Sequence, residues 1–173
     1  KGAAVFKIDG FTKGDKFKSL VFTMLSARTK DETALKVCER LFSEIETVEE
    51  MAKSGVPRLE RLIYGAGFYR TKAKHLSLMA KMLISEFSGI VPSGFDSLLK
   101  LPGVGRKTAN VVLAHAFGKD AIGVDVHVHR ISNRLGIIRT RKPEDTENAL
   151  KRIIPTGLWK LVNIAFVSHG QTT

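Results

Sequence analysis

The chain has 173 residues, with 28 lysines and arginines against 17 aspartates and glutamates, a formal net charge of +11. That length can bury a core in one domain or two small lobes, and the charge excess points to a polyanion: DNA, RNA or an anionic membrane surface. No apolar run approaches the ~20 residues of a membrane span, and no signal-peptide pattern opens the sequence. One cysteine, Cys38, allows no internal disulfide and suits a reducing compartment.

Residues 1–15 carry turn signals at Gly10 and Gly14 and read as an arm with at most one short helix. From Lys16 the pattern turns helical, with Phe17, Leu20, Val21, Met24 and Leu25 at three- and four-residue spacing. Ser26 to Asp31 interrupts it. Thr29 or Asp31 can cap a second helix whose face is Leu35, Cys38, Leu41, Phe42 and Ile45. On that face Cys38 reads as a buried structural thiol. Thr47 with Glu50 forms a capping box for a short helix ending at Gly55. Pro57 fits the first position of the next helix, which stops at Gly65. Arg70 to Phe87 is a long amphipathic pattern with Leu76, Met79, Ala80, Leu83 and Phe87 inward, closed by Ser88, Gly89 and Pro92. Leu98, Leu99 and Leu101 end a further apolar pattern, and Arg106 to Phe117 carries another, ended by Gly118. Helices are expected near 125–135, 143–154 and 158–168. No alternating strand pair, repeat or low-complexity segment appears, so the fold class is all-α.

Between Leu101 and Arg106 lie only Pro102, Gly103, Val104 and Gly105, which is a tight hairpin of two helices. Proline presets one φ angle and the glycines can take positive ones. The bare amides at the start of the second helix then form an anion site, suited to a nucleic-acid phosphate held without reading a base. Lys107 sits in the first turn of that helix. A solvated lysine on a phosphate is one reading. A nucleophile is the other, since a free amine attacks electrophilic carbon, and helix N-termini, burial and neighbouring cations favour the free amine. Asp125, eighteen positions on, ends the short apolar run Ile122-Gly123-Val124 where a new helix starts. It reads as an N-cap, and with Lys107 also as a partner carboxylate.

A hairpin lysine followed at this spacing by a capping aspartate resembles the helix-hairpin-helix DNA glycosylases. Within them the chain is similar to an archaeal-like member of the endonuclease III family, bifunctional glycosylases and abasic-site lyases for oxidised pyrimidines. Leu101 to Val112 and Val124 to Arg134 match that pattern nearly residue for residue, and weaker similarity covers almost the whole chain. The resemblance implies two lobes around a DNA cleft: residues 16–119 as a six-helix globule, and residues 1–15 with 120–173 as the second. Lys107 and Asp125 would stand at the mouth of the cleft. Lys107 would attack C1′ of a flipped nucleotide, displace the base and pass through an imine to β-elimination, with Asp125 taking its proton or stabilising the developing positive charge.

The resemblance assigns further residues. Gly103, Val104, Gly105 and Arg106 would hold the DNA backbone, with Lys72 and Lys74 as further phosphate contacts. Phe68 and Arg28 would fill the gap left by the flipped nucleotide. Bacterial relatives often carry glutamine where Arg28 stands, which leaves the opposite-base preference open. His127 and Asp31 would line the base pocket, while His129 and Arg130 would stabilise their lobe. No metal site is expected from His127 and His129, which face different ways on a helix and have no third ligand near. Most relatives continue past a His-Gly pair, here His169-Gly170, into four cysteines that bind a [4Fe–4S] cluster. This chain stops at Thr173, so no cluster can be ligated by its residues; a trimmed chain, missing termini or a member that lacks the cluster would each account for that. The expected partner is duplex DNA with a damaged base or abasic site, met by a monomer in the cytoplasm at the nucleoid, or in a nucleus. Two other readings stay open: a glycosylase for mismatched thymine, adenine or 8-oxoguanine, and a helix-hairpin-helix module that only holds DNA.

Overall fold

The structure, a computed structural model, describes residues 10–162 and 165–166. Helices run over Lys16–Ser26 (α1), Asp31–Phe42 (α2), Val48–Lys53 (α3), Val56–Leu62 (α4), Tyr69–Phe87 (α5), Phe95–Lys100 (α6), Arg106–Ala116 (α7), Val126–Arg134 (α8) and Pro143–Ile153 (α9), followed by a 3-10 turn at Thr156–Leu158. Among the described residues there is no strand, as the periodicity predicts. Residues 10–12 and 159–162 are also helical, and the rest of the predicted 158–168 helix lies largely outside the described residues.

Helix α1 is the axis of the larger core. It opens on Asp15, whose carboxylate accepts the Lys18 N–H at 2.9 Å, and eight of its eleven residues are buried. Two of those are polar, and each satisfies itself locally. Ser19 donates to the Asp15 carbonyl and Thr23 to the Ser19 carbonyl, both at 2.7 Å. Around α1 pack α2, α5 and α7. The capping box at Thr47 and Glu50 forms as read. Pro57 stands one place later than expected, because Val56 already begins α4. The cap predicted for α2 does not form: Lys30 occupies the N-cap position without a side-chain bond, and Thr29 turns its hydroxyl elsewhere. Leu99 is exposed where the apolar pattern would have buried it, since α6 is a single short piece with Leu98 and Leu101 inward.

A second, smaller core joins Ile122, Val124, Val128, Ile138, Leu150 and Val162, with Trp159 and Phe166 packed on it. The change of core falls between Ala121 and Ile122. Phe11, grouped from the sequence with the second lobe, packs instead on the larger core, against the rings of Phe22 and Phe42. From these two cores we propose a two-lobe division that keeps at least residue 11 with the first. Among the described residues, Arg106 of α7 bonds to Glu147 of α9 at 2.7 Å, from the one side to the other.

Candidate active site at a helix hairpin

The turn between α6 and α7 is fixed from both sides. Leu101 and Val104 bury their side chains, and the Val104 N–H closes onto the Leu101 carbonyl at 3.0 Å. Gly103 takes φ +79°, and a Cβ there would stand 2.8 Å from the His75 ring on α5. Only glycine meets both demands. Gly105 is the N-cap of α7 and makes no side-chain capping bond, so the N-cap residue itself leaves the first amides of α7 uncapped. Val104 buries its side chain, and its N–H is taken by the Leu101 carbonyl. Lys107 is the second residue of α7 and half-buried. Asp125 is the N-cap of α8, also half-buried, and its Oδ1 accepts the Val128 N–H at 2.8 Å. That bond leaves Oδ2 outside the cap.

The residue beside Lys107 links α7 to α9, the helix that packs on α8. Arg106 was expected on a phosphate, but Glu147 holds its guanidinium through two bonds, Nε to Oε2 at 2.7 Å and Nη2 to Oε1 at 3.1 Å. Its charge also lies 4.9 Å over the Phe95 ring of α6. Lys151 donates to the same carboxylate at 2.6 Å. Burial alone would raise the Glu147 carboxyl, but the bonds from Arg106 and Lys151 and their charges outweigh it and hold it below the ordinary range. In turn Glu147 raises Arg106. So Arg106 ties both helices of the hairpin to α9, and α9 packs on α8, which Asp125 caps.

The two predicted gap-filling residues are brought together. Arg28 and Phe68 are both exposed, both in the left-handed region at φ 53° and 57°, and the guanidinium lies 5.4 Å over the ring. Lys72, expected as a phosphate contact, is corrected. It is buried, and its Nζ donates to the carbonyls of Leu25 and Ala27 and to Thr29 Oγ1 at 2.8, 2.6 and 3.2 Å. Three acceptors use all three ammonium hydrogens. Burial pushes its pKa down to about 8, with Cys38 acting weakly the other way. A lysine lowered in this way can mark a nucleophile, but this one is buried with its three hydrogens already donated. Lys74 is exposed as expected. His127 is half-buried, with Nδ1 3.4 Å from the Arg130 guanidinium. His129 meets Thr146 at 2.6 Å and so braces α8 against α9. Asp31 is the half-buried first residue of α2.

Sequence reasoning missed Lys72 as a tether and Glu147 as a clamp. Both carried a signal. Lys72 lies on the stripe of Leu76, Met79 and Leu83, and Glu147 on that of Leu150, and a charge on an apolar stripe needs a buried partner.

Residues 21–156 match the family described as HhH-GPD superfamily base excision DNA repair protein. The chain belongs to that superfamily. It is 47% identical over 157 residues to endonuclease III of Thermotoga maritima, covering 91% of this chain and 74% of that protein. It is 39% identical over 156 residues to endonuclease III of Bacillus subtilis, covering 90% and 71%. Its fold is similar to that of a trapped endonuclease III–DNA covalent intermediate, with a TM-score of 0.88 at 36% identity over 98% of this chain and 84% of that one.

The iron–sulfur cluster that the resemblance to endonuclease III implies does not fit these residues. Cys38 is the sole cysteine of the sequence. It is buried in α2, and burial pushes its thiol up to about 12. Among the described residues no group of three or more His, Cys, Asp or Glu could hold a metal ion. None of the described helices is long and apolar enough to cross a membrane.

Proposed function

We propose that this chain is a DNA glycosylase with abasic-site lyase activity, acting in base excision repair on oxidised pyrimidines in duplex DNA. The carrying observation is the pair of helix starts, Lys107 on α7 and Asp125 on α8, in a chain that superposes on a trapped endonuclease III–DNA covalent complex. The amides at Gly105 and the head of α7 hold a backbone phosphate, aided by the helix dipole. The damaged nucleotide must leave the stack before its sugar can be reached. Arg28 and Phe68, side by side on the surface, enter the space it vacates.

Lys107, as its free amine, attacks C1′ while the glycosidic C–N bond breaks and its electron pair leaves with the base. Asp125 Oδ2 takes the proton from the attacking nitrogen, or faces the positive charge that develops on the sugar. Opening of the sugar ring gives an imine between Lys107 and C1′. Loss of a C2′ proton then expels the 3′ phosphate by β-elimination, so one nucleophile accounts for base removal and strand cleavage. His127 and Asp31 line the base pocket in this reading, and the chain works as a monomer in the compartment that holds the DNA.

A panel of duplexes carrying thymine glycol, 8-oxoguanine, uracil, a mismatch or an abasic site tests the reading. Strand cleavage at thymine glycol and at the abasic site is expected. Binding to all of them with cleavage of none would leave only a DNA-holding module. Cleavage confined to 8-oxoguanine or a mismatch would overturn the lesion class.

A further inference from the structure

Arg28 and Phe68 come from separate parts of the chain, so something must fix how far apart they stand. Phe68 immediately precedes α5 and Arg28 follows α1, and non-glycine residues in the left-handed region persist only where their surroundings over-determine them. Lys72, in the first turn of α5, reaches back to the carbonyls of Leu25 and Ala27 at the end of α1. Those carbonyls have run out of helix donors and lie at the negative end of the helix dipole, where an ammonium is well placed. Its third bond goes to Thr29 Oγ1, which also accepts the Gly67 N–H at 2.9 Å. Gly67 backs so closely on Arg28 that a Cβ would overlap the Arg28 carbonyl oxygen. One knot therefore holds both loops.

We propose that Lys72 is a positioning residue, tying the end of α1 and the loop at 26–30 to the start of α5 and so setting the separation at which Arg28 and Phe68 meet DNA. The proposal rests on the reading of those two residues as gap fillers. The side chain never touches DNA. It acts through the two loops, and its loss lets Arg28 and Phe68 relax from their left-handed conformations independently of one another.

The test uses the full chain with Lys72→Met, which keeps length and apolar bulk but donates nothing, and with Lys72→Arg. Two probes separate positioning from folding and from chemistry. The first is a duplex with 2-aminopurine opposite a tetrahydrofuran abasic analogue, whose fluorescence reports how the orphaned base is held. The second is borohydride trapping on a single-stranded abasic oligonucleotide, which leaves no gap to fill. Lys72→Met is expected to trap single strands within about twofold of wild type and to lose about tenfold or more on duplex, in kcat more than in KM, with the 2-aminopurine signal altered. Lys72→Arg restores part of the loss. Thr29→Val removes the shared hydroxyl while the lysine keeps its two carbonyl bonds, and it is expected to shift both duplex readouts the same way, which keeps the test open if Lys72→Met does not fold. Arg28→Ala and Phe68→Ala calibrate it. If they leave the duplex signal unchanged, the gap-filling reading falls and takes this proposal with it. If they change it while folded Lys72→Met and Thr29→Val behave as wild type, the positioning role alone is overturned.

Discussion

Replacing Glu147 with glutamine keeps the shape of the side chain and removes the charge that joins α7 to α9. The carboxylate is 2% exposed and receives Arg106 through two bonds and Lys151 through one. An amide offers a single acceptor oxygen and turns an NH2 toward a cation, so at least one charge-assisted bond is lost. Such a bond contributes about 1.5–3 kcal/mol. Because Arg106 and Lys151 are 41% and 28% exposed, they regain hydration, which keeps the loss near the lower end. A cost of about 2 kcal/mol lowers Tm by roughly 4–8 °C in a domain of this size. A carboxyl held below its unfolded pKa stabilises the fold above that value, and the effect disappears as pH falls through the folded one. The gap between wild type and Glu147→Gln is therefore full at pH 7 and narrows below about pH 4.5, the ordinary carboxyl value. Calorimetry at neutral and acidic pH reads this directly, and a cycle with Arg106→Met isolates the pair. Equal Tm at pH 7, or a gap that widens with acid, would mean that the Glu147 charge does not hold α7 to α9.

Gly103→Ala places a Cβ at φ +79° against the His75 ring and is expected to cost about 1–3 kcal/mol by thermal melting, and to weaken DNA binding with a shallower salt dependence. An unchanged melt would mean the turn is not held as described. Asp125→Asn keeps a good cap, so stability stays within ~0.5 kcal/mol of wild type while cleavage falls about 10²–10⁴-fold. Asp125→Ala loses the cap as well, for about 1 kcal/mol more. Wild-type cleavage by the asparagine variant would remove the carboxylate from the chemistry. Cys38, buried with its thiol pushed up to about 12, is expected to alkylate in native protein only as fast as the fold opens. Stoichiometric labelling within minutes at pH 8 would contradict its place in the core.

The hairpin and both helix starts were legible because their signals are local. A Pro-Gly-Val-Gly turn between apolar patterns, a capping aspartate and a Thr–Glu capping box each specify their geometry within a few residues. What was not legible depends on contacts distant in sequence. Thr29 looked like a helix cap, but its oxygen is taken by Gly67 and Lys72, which lie about forty residues away. Lys72, after the loop that carries Phe68, reads as a phosphate contact, and only the packing of α5 on α1 turns it inward. Arg106, beside the glycine turn, reads naturally as a phosphate contact until α9 brings Glu147 against its guanidinium. Leu99 failed the other way, since α6 is too short to bury a full apolar face.

In the proposed reaction one amine, on the second residue of α7, bonds to the sugar. Trapping the intermediate on abasic-site duplex with borohydride, digesting the adduct and sequencing the modified peptide by mass spectrometry reads the nucleophile directly. Lys72 is the competing residue to watch, since burial brings its pKa down to about 8. The sugar fragment is expected on Lys107, with no adduct in Lys107→Ala. A fragment on Lys72 or any other residue, or undiminished trapping by Lys107→Ala, would contradict it.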